Sequence, residues 1–146
     1  MLSMEKLLIS ACLTGVNCKY DGGSNALPPE ALAALQKRFA LVPVCPEQLG
    51  GLPTPRVPSE RVGERVVSRE GADVTDAFRR GAEAALRIAK ENGCRKALLK
   101  TNSPSCGSGT IYDGSFTGRL VSGDGVAAEA LKHEKIEVFG DISGLI

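Results

Sequence analysis

The chain has no tryptophan, and its aromatic residues are four phenylalanines and two tyrosines. That scarcity argues against the stacked aromatic surfaces on which single-strand binders hold bases. A net charge of +1 gives no strong pull toward nucleic acid or an anionic membrane. No apolar run approaches the roughly 20 residues that a membrane helix needs. The opening Met1-Leu2-Ser3-Met4-Glu5-Lys6 is too short and too polar for a secretory leader, so the expected location is the cytoplasm. The only histidine, His133, falls near the end of a predicted helix, away from the cysteines singled out below. A Cys-His nucleophile therefore lacks its base, and the common catalytic zinc sets lack their imidazoles. Repeats, low-complexity tracts and linkers are also absent. A length of 146 residues suits one domain spanning residues 1–146.

What is present is a set of short apolar runs, each ending near a cysteine. Leu7 to Ala11, Ala40 to Val44 and Ala97 to Leu99 read as buried parallel strands, and Ile136 to Phe139 as a fourth. Pro28 and Pro29 open a helix reaching about Arg38, with Leu32, Leu35 and Phe39 on its apolar face. Asp73 caps a long helix that stops at Asn92-Gly93, its stripe being Val74, Phe78, Ala82, Ala85 and Ile88. Residues 124–133 form a last helix. Four prolines between 45 and 60 predict a long ordered loop without helix or central strand. Val57 to Val67 predicts a hairpin turning near Gly63, and Tyr112-Asp113-Gly114 another turn. The order predicts an α/β domain: a mainly parallel sheet with flanking helices, Rossmann/flavodoxin-like, with a small hairpin insertion.

In such a sheet, ligands bind where the carboxyl ends of the strands meet. Cys12, Cys45 and Cys106 all follow strand ends, so residues far apart in sequence are expected to converge. An odd count of five cysteines in a reducing compartment favours metal or catalytic use over disulfides. Three thiolates suit a metal or an iron–sulfur cluster with one coordination position left for substrate. The stretch Lys100 to Gly109 combines a lysine, serines, a cysteine and two glycines, the composition of a loop that wraps a ligand. Its lysine lies on the wrong side of the glycines for a phosphate-binding P-loop. In Cys45-Pro46-Glu47, proline follows the thiol as it does in some ferredoxin motifs, and Glu47 is placed to act as general acid or base. The spacing of Cys12 and Cys18 matches no standard zinc motif, and either residue is a candidate to join Cys45 and Cys106. Cys94 falls at the opposite sheet edge and reads as a buried structural thiol.

Taken together, Ser10-Ala11-Cys12-Leu13-Thr14-Gly15, Lys19-Tyr20-Asp21-Gly22, Val44-Cys45-Pro46-Glu47, Asn102-Ser103-Pro104-Ser105-Cys106-Gly107 and Tyr112-Asp113-Gly114 resemble the thiouracil desulfidases, a family long described only as a domain of unknown function. The resemblance covers nearly the whole chain. It implies a 4Fe-4S cluster held by Cys12, Cys45 and Cys106, with one iron free. It also implies that Glu47 is the catalytic carboxylate and Ser103 the catalytic hydroxyl. Cys18 is then not counted as a ligand. The implied activity is non-redox hydrolytic C–S cleavage of a thiolated pyrimidine, releasing sulfide. The near-neutral charge favours a small-molecule substrate over tRNA. Two other readings compete: a structural metal-binding protein and a sulfur carrier.

Overall fold

The run Leu7-Leu8-Ile9 is fully buried, as a strand covered on both faces must be. It lies in β1 (Glu5–Ser10) of a computed structural model that describes residues 4–146. The first three residues of the polar opening lie outside the described residues. β1 pairs in parallel with β2 (Phe39–Val44) on one side and β5 (Lys96–Leu98) on the other, and β5 pairs in parallel with β8 (Glu137–Phe139). The sheet order is β2-β1-β5-β8. Counting only these strands, that is the 2-1-3-4 beginning of a flavodoxin-like sheet, with its switch point beside β1.

Alternation along the strands splits the core into two faces. Leu7, Ile9 and Leu98 point to one side, with Leu35 of α1 (Pro29–Arg38), Phe39 and Leu145. Leu8, Ala97 and Leu99 point to the other, where α3 (Thr75–Glu91) supplies Ala85 and Ala89 and α4 (Val126–His133) supplies Ala128 and Leu131. Small alanines let α3 and α4 pack closely against each other. The N-cap of α3 is Val74 rather than the expected Asp73; Asp73, one residue earlier, accepts the Thr75 amide on Oδ1 at 2.9 Å and so ties down the start of the helix.

Two expectations are corrected. The proline-rich stretch 45–60 does contain a helix, the single turn α2 (Pro46–Leu49). Proline at its first position lacks an N–H that would have had no partner there, so it starts the turn instead of breaking it. Residues 111–120 are also more than a turn. β6 (Thr110–Tyr112) and β7 (Leu120–Ser122) form a second antiparallel pair beside the expected hairpin of β3 (Ser59–Val62) and β4 (Arg65–Ser68). Three-residue strands are too short for a two-residue period to register in sequence. The last helix begins at Val126, two residues after the expected start.

Two adjacent charged residues, both buried, fasten these hairpins down. Glu60 Oε1 accepts the amides of Gly114 at 2.9 Å and Phe116 at 3.1 Å. Arg61 donates to the carbonyls of Gly63 and Asp124, each at 2.8 Å, and to Glu129 at 3.2 Å. α2 and α3 meet backbone to backbone. A Cβ on Gly50 would fall 1.9 Å from the Ala77 carbonyl oxygen, and one on Gly81 would fall 1.8 Å from that of Pro46.

Candidate active site

The site lies at the carboxyl ends of β1, β2 and β5. β1 ends at Ser10, and a 3-10 turn, Ala11–Thr14, carries Cys12. Gly15 closes that turn at φ 98°, a conformation that favours glycine. Ser10 Oγ accepts the Lys100 amide at 2.9 Å, which links the ends of β1 and β5. Cys45 directly precedes α2. Cys106 sits in the loop after β5, and the start of α4 braces that loop. There the amides of Val126 and Ala127 donate to the carbonyls of Pro104 and Ser105, both at 2.8 Å.

Cys12, Cys45 and Cys106 line one cavity of about 460 Å³, together with Glu47 and Ser103. That volume suits a small organic ligand. All five residues singled out for chemistry are therefore brought together. Cys18, which the family resemblance set aside, lines the same cavity and is 2% exposed. Its carbonyl oxygen accepts from Arg56 Nη2 at 3.0 Å and lies 3.8 Å from Cys45 Sγ. Cys94 is buried among Ala89, Ala97 and Ile136, and His133 is exposed at the end of α4. Neither lines the cavity.

Burial dominates the electrostatics of the thiols. It pushes the Cys106 thiol up to about 12, against hydrogen bonds from Ser10 and Ser105 that favour the thiolate. It raises Cys12 too, against an Asn25 amide that donates to the sulfur at 3.5 Å. Cys18 is likewise pushed up to about 12, by burial first and by the adjacent Cys45 second. These sulfurs are protonated unless a cation compensates them. Among the described residues, no three His, Cys, Asp or Glu side chains are grouped to hold one metal ion. Soft thiolates spread around a single cavity fit an iron–sulfur cluster better than a mononuclear zinc ion.

The polar half of the cavity is ordered around Glu47. Arg56 Nε donates to Glu47 Oε1 at 2.9 Å, with side-chain exposures of only 7% and 17%. Glu47 Oε2 accepts from Ser105 Oγ at 3.0 Å, and Ser105 Oγ lies 3.0 Å from Ser103 Oγ. Sequence reasoning missed Arg56 and Ser105. Ser105 had a signal, standing between Ser103 and Cys106 in a loop already singled out. Arg56 had none, because its role depends on a fold-back that brings its amide 2.6 Å from the Tyr20 carbonyl. Tyr20, Tyr112 and Phe116 add aromatic surface to the cavity, and Lys100 and Arg69 add positive charge. Phe116 holds a left-handed backbone at φ 58°, fixed by Glu60.

The family model described as 2-thiouracil desulfurase matches residues 7–142. The uncharacterized protein YbbK of Bacillus subtilis (strain 168) is 39% identical over 145 residues, covering 92% of this chain and 95% of its own. The solved structure of the 4Fe-4S-dependent thiouracil desulfidase TudS superposes with a TM-score of 0.90 at 48% identity, over 96% of this chain and 93% of that one.

Proposed function

The chain belongs to the 2-thiouracil desulfurase family, and from that premise we propose that it hydrolyses the C–S bond of a thiolated pyrimidine, with Cys12, Cys45 and Cys106 holding a 4Fe-4S cluster. The observation that carries this reading is the convergence of three thiols, a carboxylate and a hydroxyl on one cavity of about 460 Å³. The net reaction consumes water and yields a uracil-type base and hydrogen sulfide. It needs no external oxidant or reductant.

When bound, the cluster supplies a Lewis-acidic iron for the thiocarbonyl sulfur. Everything else falls to the protein. Tyr112 and Phe116 line the cavity and add apolar surface for a planar base, with the Arg69 guanidinium 5.7 Å from the Phe116 ring centroid. Glu47 takes the proton of the attacking water and later gives it to the leaving sulfur. Arg56 keeps its carboxylate aimed by holding Oε1. Ser103 hydrogen-bonds at the reacting end, its Oγ oriented by the amides of Ser105 and Cys106, each at 3.1 Å.

The substrate we favour is a free small molecule rather than thiolated tRNA, since the net charge is only +1. No described helix is long and apolar enough to cross a membrane. Five unpaired thiols suit a reducing compartment, in keeping with a cytoplasmic enzyme. A sulfur carrier would not need the ordered Glu47 and Ser103, and a structural zinc protein would need ligands grouped around one ion.

The test is iron and acid-labile sulfide content after anaerobic reconstitution, followed by sulfide release from 2-thiouracil. The expected result is a brown protein with about four irons per chain and stoichiometric sulfide and uracil. A colourless protein, or a loaded one that releases no sulfide from thiolated pyrimidines, overturns the reading.

A further inference from the structure

Among the described residues no hydrogen bond joins Glu47 directly to Ser103; Ser105 stands between them, 2% exposed, with its Oγ 3.0 Å from Glu47 Oε2 and 3.0 Å from Ser103 Oγ. The direction of this file follows by elimination. A carboxylate only accepts, so Ser105 donates to Glu47. The Cys106 sulfur, 3.6 Å from Ser105 Oγ, is a weaker competitor for that proton. Ser103 Oγ already accepts two backbone amides, those of Ser105 and Cys106. What it has left is its own O–H, and the acceptor beside it is Ser105 Oγ. Arg56 occupies the other carboxylate oxygen, so Oε2 is the one free to receive a proton along the file.

We propose that Ser105 is a positioning residue of the desulfuration reaction, coupling Ser103 to Glu47 and passing the proton of the attacking water between them. This deepens the desulfidase reading and rests on it. As water attacks, one of its O–H bonds breaks and the proton moves to Ser103 Oγ, which gives up one of its two amide hydrogen bonds to free the lone pair that takes it. The Ser103 proton moves to Ser105 Oγ, and the Ser105 proton to Glu47 Oε2. Three O–H bonds break and three form. The electron pair left on the water oxygen makes the new C–O bond, and Glu47 becomes a neutral acid. The same file in reverse returns the proton to the departing sulfur. No redox partner enters.

The arrangement also explains why the loop carries two serines separated by a proline. Ser103 faces the reacting atoms, with its oxygen fixed by two amides. Ser105, two residues on, reaches across the cavity floor to α2. A single hydroxyl could not meet both the substrate side and Glu47.

The experiment compares Ser105→Ala and Ser105→Thr with the parent enzyme, each reconstituted without oxygen and assayed with 2-thiouracil. Ser105→Ala is expected to lower kcat by about 100-fold while KM stays within about twofold and iron content is unchanged. Ser105→Thr keeps a hydroxyl and is expected to retain kcat within about fivefold. A second readout needs no turnover: the carboxyl carbon resonance of Glu47, assigned with Glu47→Gln, shifts in Ser105→Ala and holds in Ser105→Thr. Parent-like kcat in Ser105→Ala overturns the inference and leaves the desulfidase reading standing. Iron loss in Ser105→Ala also overturns it, because Ser105 would then be a brace for Cys106. A loaded parent enzyme that does not desulfurise overturns both.

Discussion

Replacing Gly81 by alanine separates two opposing effects on stability by sign. Gly81 lies inside α3, where alanine is the better helix former by about 1 kcal/mol. On propensity alone the variant gains stability. The structure demands the opposite, because the new Cβ would fall 1.8 Å from the Pro46 carbonyl oxygen and 2.7 Å from its carbon. Ordinary contact begins near 3.4 Å, so α2 and α3 must part by about 1.6 Å. Both sides of the clash are backbone, which has no rotamer to yield. Overpacking of this kind costs about 1–3 kcal/mol, and the rigid case belongs at the upper end. The net effect is a loss of about 2 kcal/mol, or about 4–8 °C in Tm for a chain of this size. Thermal unfolding followed by circular dichroism measures it. Pro46 separates Cys45 from Glu47, so the displaced turn is also expected to lower iron occupancy on reconstitution. An unchanged or raised Tm would refute the claim that the two helices touch through their backbones.

Arg56→Met removes a buried partner of Glu47 and is expected to lower stability by about 1–3 kcal/mol, given that Glu47 keeps some solvent, and to cut kcat with iron retained; parent-like kcat would show that Glu47 needs no aim. Cluster loading must strip protons from Cys12, raised by burial, and from Cys106, at about 12. Occupancy in anaerobic titrations is therefore expected to rise with pH by up to about a hundredfold in binding constant per unit, and a flat profile between pH 6 and 9 would refute it. The sign for the unloaded protein is the reverse. Its buried thiols stay neutral, so its stability is full below the ordinary thiol value of 9.0 and falls as pH climbs from there toward 12. Cys94→Ala and Cys18→Ala should both keep their iron, since Cys94 lies off the cavity and Cys18 meets Arg56 and Cys45 through its backbone carbonyl; a colourless Cys18→Ala protein would make that sulfur a ligand.

The parallel sheet was legible because β1 and β2 are continuous apolar runs, and burial on both faces leaves that mark. The convergence of Cys12, Cys45 and Cys106 was legible for a related reason: the carboxyl ends of parallel strands share an edge. The proposal of Glu47 and Ser103 as catalytic groups rests on the family resemblance as well as on position. What escaped notice was set by chain geometry across long separations. Nothing local marks Arg56 as the partner of Glu47 or its guanidinium as bound to the Cys18 carbonyl. α2 was hidden because proline density was read as a bar to helix, whereas proline at the first position admits one. β6 and β7 were hidden by their length. Cys18 shows the limit from the other side: it lines the cavity with the other three sulfurs, yet its spacing from Cys12 matches no standard zinc motif.

The bracing of the Cys106 loop by α4 also constrains when the protein can mature. Cys12 and Cys45 come early in synthesis, and their strands β1 and β2 can pair as soon as they emerge. The loop that carries the third thiol is braced in part by amides of residues 126 and 127, which lie downstream of all three cysteines. Until that segment is made, the Cys106 loop lacks this brace. Iron delivered earlier would meet a Cys106 loop without that support, so cofactor loading is expected to follow completion of α4.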